Sequence, residues 1–472
     1  ACDCAEQNVD ILLAPGVNIK RHPLNGRNFE YFSEEPYLAG VLAKEYISGL
    51  QNNGVGACLK HFCCNNLEYN RFNQSSEVDE RTLREIYYKP FEIACEAKPV
   101  SAMCSYNRIN GTYASEYKKG FDVLRNEFGF DGAVYSDWDA VRDRAKAAKA
   151  GVDIEFPYNG GNYEKLVADY NAGKLTDEEL DACAARVIEL AYKCEEMRKN
   201  RKAGKTRADR LELSRKVAEE SMVLLKNDGA LPLKSGSAVA VCGCYAVPEP
   251  NMIAGGGSSH VEWIGNGFNL PELLAERLNK GVKYEKMFSY DGVVGHGAYG
   301  ANPATGLLYA AESDSVIVCV GTGTPFEYES VDRKTMRLPE VQERAILDIA
   351  EINENVTVAV FAGAAIDMSA WIDKVRGVVF AGFCGENGGV ALADILTGRV
   401  NPSGKLSETF PLSAEKVPAV TAHADTRVTR YSEGLDVGYR YFDRHADGVL
   451  FPFGFGLSYS RFEYSDLRVA AC

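Results

Sequence analysis

The sequence predicts an α/β protein built from an incomplete (β/α)8 barrel and a second α/β domain with a mostly parallel sheet. Three observations carry this. Short apolar runs alternate with amphipathic stretches over residues 1–198, continuous Val/Ile runs flanked by helical stretches return after residue 213, and a basic run separates the two. Strands alternating with helices point to a parallel β/α architecture, and strands that are apolar throughout point to a sheet covered on both faces. A chain of 472 residues has room for about three domains at roughly 150 residues each.

In the first half, strands are expected at Val9–Ala14, Gly56–Phe62, Val100–Tyr106, Ala133–Asp137 and Val152–Phe156, with helices at Ser33–Leu50, Asp79–Ala97 and Thr176–Arg198. The last helix opens on a capping box, Thr176 with Glu179, and has Leu175 and Leu180 placed as a hydrophobic staple. Leu180, Ala184, Val187 and Ala191 then recur at helical spacing. Polar residues gather just after the strands, in Lys60-His61, Ser105-Tyr106-Asn107 and Ser136-Asp137-Trp138. That rim is where barrel proteins place their sites. Five strands fall short of a full barrel of about 250 residues, so the barrel reads as incomplete at its N-terminus. A start at Ala1 without methionine, running almost directly into a strand, reads as cut.

Residues 199–212, with Lys199, Arg201, Lys202, Lys205 and Arg207, read as a charged linker. No aromatic residues are interleaved there for stacking on bases. In the second domain, residues 213–428, strands are expected at Ala238–Cys242, Val316–Val320, Val356–Phe361 and Val378–Phe380. A helix is expected over Pro339–Ile352, with Pro339 in its first turn and a buried stripe of Val341, Ala345, Ile349 and Ile352. The tail, residues 429–472, is rich in Gly, Tyr and Phe and reads as loops and short strands packed on the second domain.

Composition narrows the function classes. Hydrophobic residues make up 46% and charged residues 25%, an ordinary globular balance. The net charge of −14 argues against nucleic acid as a partner, and no apolar run approaches the ~18 residues of a membrane span. The 14 cysteines are scattered, and the close pairs Cys2/Cys4, Cys63/Cys64 and Cys242/Cys244 do not have zinc-site spacing. They read as reduced, structural thiols of a cytoplasmic protein. The glycosylation sequons at Asn73 and Asn110 are too common a signal to outweigh that.

Asp137 is the sharpest candidate. A carboxylate at a barrel rim beside the Trp138 indole is placed to attack a sugar's anomeric carbon over an apolar platform. The competing reading is a helix N-cap ahead of a helical stretch near Ala140. Lys60, His61 and Arg71 offer a cationic, donor-rich wall suited to several hydroxyls. The loop Gly255-Gly256-Gly257-Ser258-Ser259 lacks the Gly-Lys-Ser/Thr of a phosphate-binding loop.

Lys60-His61-Phe62, Val78-Asp79-Glu80-Arg81, Met103-Cys104-Ser105-Tyr106-Asn107 and Ser136-Asp137-Trp138 resemble glycoside hydrolase family 3, the β-glucosidase type. In the second half, Val223–Asn227, Gly385–Gly389, Asn401–Leu406 and Phe451–Tyr459 resemble that family's α/β sandwich domain and closing signature. The resemblance implies a retaining exo-β-glucosidase that forms a covalent glycosyl-enzyme intermediate, acts on small β-glucosides or oligosaccharides, and uses no metal or organic cofactor. Neither nucleic acid nor membrane is implied, and a homo-oligomer stays open. Residue by residue, Asp137 matches the nucleophile. Glu329, by its offset from Asp332-Arg333, matches the acid/base, with Glu327 as its rival. Arg27, Lys60, His61, Arg71, Tyr106, Trp138 and Ser258 match substrate-binding positions.

For a retaining pair, donors around Asp137 are expected to keep its pKa low, and partial burial to raise that of Glu329. The sequence departs from the family at three places. No Asp-Gly-Pro aspartate precedes Arg27, no fibronectin-like domain follows Phe462-Glu463-Tyr464, and Asn66 stands where many members have Asp. The alternatives are a sibling exo-glycosidase such as a β-xylosidase, or an inactive sugar-binding fragment. The N-acetyl-β-glucosaminidase subgroup is disfavoured, because its Lys-His-Phe-Pro-Gly-His run is replaced by Lys60-His61-Phe62-Cys63-Cys64.

Overall fold

A computed structural model describes residues 1–201, 204–249, 252–261, 268–290, 302–421 and 427–470. The first half holds strands β1 (Ile11–Leu12), β2 (Gly56–Phe62), β3 (Ser75–Glu77), β4 (Ser101–Cys104), β5 (Arg108–Ile109), β6 (Thr112–Tyr113) and β7 (Ala133–Tyr135). Strands β1, β2, β4 and β7 form an all-parallel sheet in that order, which among the described residues does not close into a barrel. Every residue of β2 is buried, as expected of a strand with apolar layers on both sides. The rim residues Lys60 to Phe62 therefore end on a rigid strand.

The expected strand Val152–Phe156 is reduced to one bridge, between Ile154 and Tyr135. Backbone bonds still join it to β7, from the Asp153 N–H to the Val134 carbonyl at 2.9 Å and from the Ser136 N–H to the Ile154 carbonyl at 2.8 Å, while the Asp153 side chain accepts the Val134 N–H at 2.8 Å and is itself held by Arg125 and Arg186. The expected helix 79–97 is broken into Glu80–Thr82, a π-turn over Leu83–Tyr87, and Lys89–Cys95. Pro90 has no N–H to donate, which accounts for the widened turn before it. Helix Asp177–Lys199 carries both halves of the predicted capping box.

The second half holds β8 (Val223–Asn227), β9 (Val239–Cys242), β10 (Lys283–Glu285), β11 (Ser315–Gly321), β12 (Val356–Phe361), β13 (Gly377–Phe380), β14 (Phe410–Pro411), β15 (Val428–Arg430) and β16 (Val449–Phe451). Six of them form a sheet in the order β10-β9-β11-β12-β13-β8, parallel except for the antiparallel edge strand β8. β12 is buried along its whole length and β11 everywhere but its first residue. Each buried Val or Ile there contributes about 1.5–3 kcal/mol of transfer free energy. Pro339 is the N-cap of helix Glu340–Ile352 rather than a residue of its first turn. Ile352 is 45% exposed, and Ile346 takes the interior position expected for it.

Two boundaries differ from expectation. The stretch read as linker is helical from Arg207, where a Thr206–Asp209 capping box starts a helix running to Ser221. Two of its arginines are paired, Arg201 with Asp10, and Arg210 with Asp3 and Glu6. The tail packs on the barrel as well as on the second domain. β15 joins β3, β5 and β6 in a four-stranded sheet, pairing parallel to β3. Tyr431 and Val437 are buried in the barrel core, and Arg21 pairs with Glu433.

Candidate active site

Asp137 follows β7 at the rim of the open barrel and is 5% exposed. Its Oδ1 accepts from the Tyr106 hydroxyl at 2.8 Å and from the Trp138 N–H at 2.8 Å. Its Oδ2 has no hydrogen-bond partner among the described residues, and His61 Nε2 lies 3.6 Å from it. One oxygen is thus fixed and the other left available. Asp137 caps no helix; the next one begins at Arg144 and is capped by Asp143. Burial raises the Asp137 carboxyl above its ordinary range, and Arg27, Tyr106, the Trp138 amide and Lys60 only partly offset this. The expectation of a low pKa therefore fails, because desolvation outweighs the surrounding donors.

The donor residues near Asp137 are buried. Arg27, Lys60, His61 and Arg71 all lie within the seam between the domains, none more than 8% exposed. Arg71 lies over the Tyr106 ring, 4.1 Å from its centroid. Burial, together with Arg27, Lys60 and Arg71, lowers the His61 pKa well below the usual value, so the ring is neutral at neutral pH. Asn18 accepts the His61 backbone N–H at 2.9 Å, and the Tyr31 hydroxyl stands 3.4 Å from the ring Nδ1. The ring Nδ1 also lies 3.3 Å from the acceptor Asn18 Oδ1, and Nε2 faces Asp137 Oδ2.

The second domain contributes the loop 326–333. Glu329 Oε1 accepts from Arg71 Nη1 at 3.0 Å and Arg27 Nη1 at 3.3 Å, while Oε2 accepts the Ser258 N–H at 2.8 Å. Gly257 is left-handed at φ +110°, and a Cβ there would collide with the Glu329 side chain. Burial would raise the Glu329 carboxyl, yet Arg27, Ser258 and Arg71 outweigh it and bring it down to about 2. This reverses the expected elevation: the arginines that face a sugar in the expected reading hold the glutamate ionised. Glu327 points elsewhere. Its carboxylate, 1% exposed, accepts from the Thr322 hydroxyl and from the Gly363 N–H at 2.9 Å.

Trp138 is 45% exposed and stacks on Phe156 with centroids 5.1 Å apart, presenting an indole at the rim. Ser258 is exposed and meets the site through its contact with Glu329. The structure thus brings together Asp137, Tyr106, His61, Lys60, Arg27, Arg71, Glu329 and Ser258, with Trp138 at the edge. Asn66 ties the scaffold: its Nδ2 donates to the Ile19 carbonyl at 2.5 Å and its Oδ1 accepts from Tyr431 at 3.0 Å. An Asp there would lose the first of these bonds.

Sequence reasoning missed two acidic orienters. Glu30 binds the Arg27 guanidinium and lies 3.8 Å from Lys60 Nζ. Glu68 accepts from Arg71 at 2.6 Å. Both stand three residues from their arginines, a charge spacing that was available as a signal. No group of three or more His, Cys, Asp or Glu able to hold a metal is present among the described residues. The 13 cysteines among the described residues are all free.

The geometry defines a two-domain site: a barrel-rim aspartate and a glutamate from a sheet domain, joined through donors suited to hydroxyls. The profile of the Glycosyl hydrolase family 3 N terminal domain matches residues 1–190, and that of the Glycosyl hydrolase family 3 C-terminal domain matches residues 222–459. The chain belongs to glycoside hydrolase family 3. It is 44% identical to thermostable beta-glucosidase B of Acetivibrio thermocellus and 37% identical to an exo-alpha-(1->6)-L-arabinopyranosidase of Bifidobacterium breve. Each match takes in 99% of this chain but 62% of the relative, so the chain spans less than two thirds of those relatives' length. Among solved structures, a family 3 beta-glucosidase of Bifidobacterium adolescentis superposes with a TM-score of 0.89 at 36% identity, covering 97% of this chain and 67% of that one. Beta-glucosidase 3B of Thermotoga neapolitana in complex with glucose superposes with a TM-score of 0.88 at 32% identity, covering 99% and 70%.

Proposed function

We propose that the protein is a retaining, exo-acting β-glucosidase that releases terminal β-D-glucose from small glucosides. The observation that carries this reading is the unbroken chain of contacts Asp137–Tyr106–Arg71–Glu329, which sets two carboxylates of opposite electrostatic character around one donor-lined seam. Tyr106 and the Trp138 amide hold Asp137 Oδ1, leaving Oδ2 to attack the anomeric carbon. Arg27, Lys60, His61 and Arg71 grip the glycone hydroxyls. When hydroxyls take over the Arg27 and Arg71 donors, Glu329 loses the contacts that hold it ionised. Its proton affinity then rises toward that of a general acid. Protonated Glu329 expels the aglycone oxygen, and as a carboxylate it then activates water against the glycosyl-Asp137 ester.

The test is hydrolysis of p-nitrophenyl β-D-glucoside by the full chain, with the anomer of the released glucose read by NMR. First-formed β-glucose is expected; α-glucose, or glucose binding without turnover, would overturn the reading. The identity to an arabinopyranosidase supports a second reading, exo-action on α-L-arabinopyranosides. The corresponding p-nitrophenyl arabinopyranoside, run in parallel, separates the two.

A further inference from the structure

Residues 326–333 reach the barrel through contacts that the chemistry above does not use. Asp332 sits three residues beyond Glu329 and accepts three backbone N–H groups from the barrel. Its Oδ1 takes Gly26 at 3.0 Å and Glu68 at 2.9 Å, and its Oδ2 takes Tyr69 at 2.8 Å. Glu68 answers in the opposite direction, its Oε2 accepting the Ser330 N–H at 2.7 Å. The Arg333 N–H donates to the Leu24 carbonyl at 2.8 Å. Gly26 lies so close that a Cβ there would collide with the Val331 and Tyr328 carbonyls. The loop is therefore seated against two barrel segments, 24–26 and 68–69, through residues on either side of Glu329 in sequence.

We propose that Asp332 and Glu68 are positioning residues that latch the acid/base loop onto the barrel rim and so fix Glu329 across the seam from Asp137. Neither touches the reacting atoms. The Glu68 side chain is fully covered, and the Asp332 oxygens face backbone amides. Glu68 also shares Arg71 with Glu329, since Nη1 stands 2.6 Å from Glu68 Oε2 and 3.0 Å from Glu329 Oε1. The latch thus aligns both the loop backbone and the guanidinium that meets the acid/base. Charge-assisted bonds from a carboxylate to backbone N–H groups are about twice as strong as neutral ones, so three converging on Asp332 suit a docking anchor. The inference rests on the assignment of Glu329 as acid/base.

The experiment compares Asp332→Ala, Asp332→Asn and Glu68→Gln with the unaltered full chain. Rates are measured on an alkyl β-glucoside and on 2,4-dinitrophenyl β-glucoside, and amide hydrogen exchange is followed over 326–333. A misplaced general acid costs most where the leaving group needs a proton. Asp332→Ala should therefore lose about 100-fold in kcat/KM on the alkyl glucoside and less than about 10-fold on the dinitrophenyl one. Exchange over 326–333 should quicken. Glu68→Gln should move both readouts the same way by less, and Asp332→Asn, which keeps one acceptor oxygen, should restore part of the loss. Equal losses on both substrates, or unchanged exchange in the variants, would overturn the latch. If Asp332→Ala does not fold, the two isosteric variants decide. If the unaltered chain hydrolyses no glucoside, the functional reading falls, and exchange over 326–333 still judges the latch by itself.

Discussion

Arg71 Nη1 stands 3.0 Å from Glu329 Oε1 across the seam between the domains, while the same guanidinium lies over the ring of Tyr106, whose hydroxyl binds Asp137. One barrel arginine therefore couples a carboxylate of each domain. Burial lifts Asp137, whereas Arg27, Ser258 and Arg71 override burial and depress Glu329. The order of their proton affinities is thus the reverse of that in the proposed first step, in which sugar hydroxyls competing for the arginines would release Glu329.

Asp137→Ala should lower turnover of an aryl β-glucoside by at least about three orders of magnitude, as loss of a nucleophile does elsewhere. A 2-deoxy-2-fluoroglucoside inactivator should add its glycosyl mass to the peptide holding Asp137. Labelling at another residue would displace the assignment.

Glu329→Ala should slow poor leaving groups by about 10²–10⁴-fold, and azide should restore part of the rate. Glu327→Ala should show no azide effect, because its carboxylate is committed to Thr322 and Gly363. Exchanged outcomes would move the acid/base to Glu327.

Arg71→Met should raise the Glu329 carboxyl from about 2 toward the ordinary range. A depressed carboxyl adds stability above its unfolded value of about 4.5 that is lost as pH falls toward 2. The melting temperature of the parent protein should therefore drop more steeply between pH 4.5 and 2 than that of the variant. Parallel curves would show that Arg71 does not control Glu329.

Glu34 and Glu68 carry the opposite sign. Burial pushes both up to about 7, although Glu34 accepts from Thr409 and Tyr439 and Glu68 lies beside Arg27 and Arg71. A raised carboxyl contributes stability that is complete below pH 4.5 and lost as pH rises through 7. The protein should melt a few degrees lower at pH 8 than at pH 5. Glu34→Gln should remove part of that slope, measured by calorimetry at both pH values.

Arg21→Met should destabilise by about 3–5 kcal/mol in urea unfolding, because it strands a buried Glu433 carboxylate. A loss below ~1 kcal/mol would mean that the Arg21–Glu433 pair does not tie the returning tail to the barrel.

Much of this protein was legible as sequence. Local pattern marked β2 and β12 to the residue, because a strand buried on both faces carries a largely apolar run. The Thr176–Glu179 capping box is likewise a matter of four consecutive residues. The rim positions Lys60, His61, Tyr106 and Asp137 followed from polar residues ending apolar runs, and the resemblance named Glu329 and its partners. Local pattern did not show that Pro90 breaks a helix into a π-turn, that the Asp153 side chain takes the Val134 N–H, or that β15 returns to the barrel. Those outcomes depend on which groups compete for a backbone N–H in three dimensions. The different surroundings of Glu329 and Glu327, the reversed proton affinities and the Asp332 contacts rest on tertiary structure alone. The physical reason is that a carboxylate's pKa and aim are set by desolvation and by charges hundreds of residues away, as with Arg27 and Arg71 on Glu329, and sequence spacing carries no record of either.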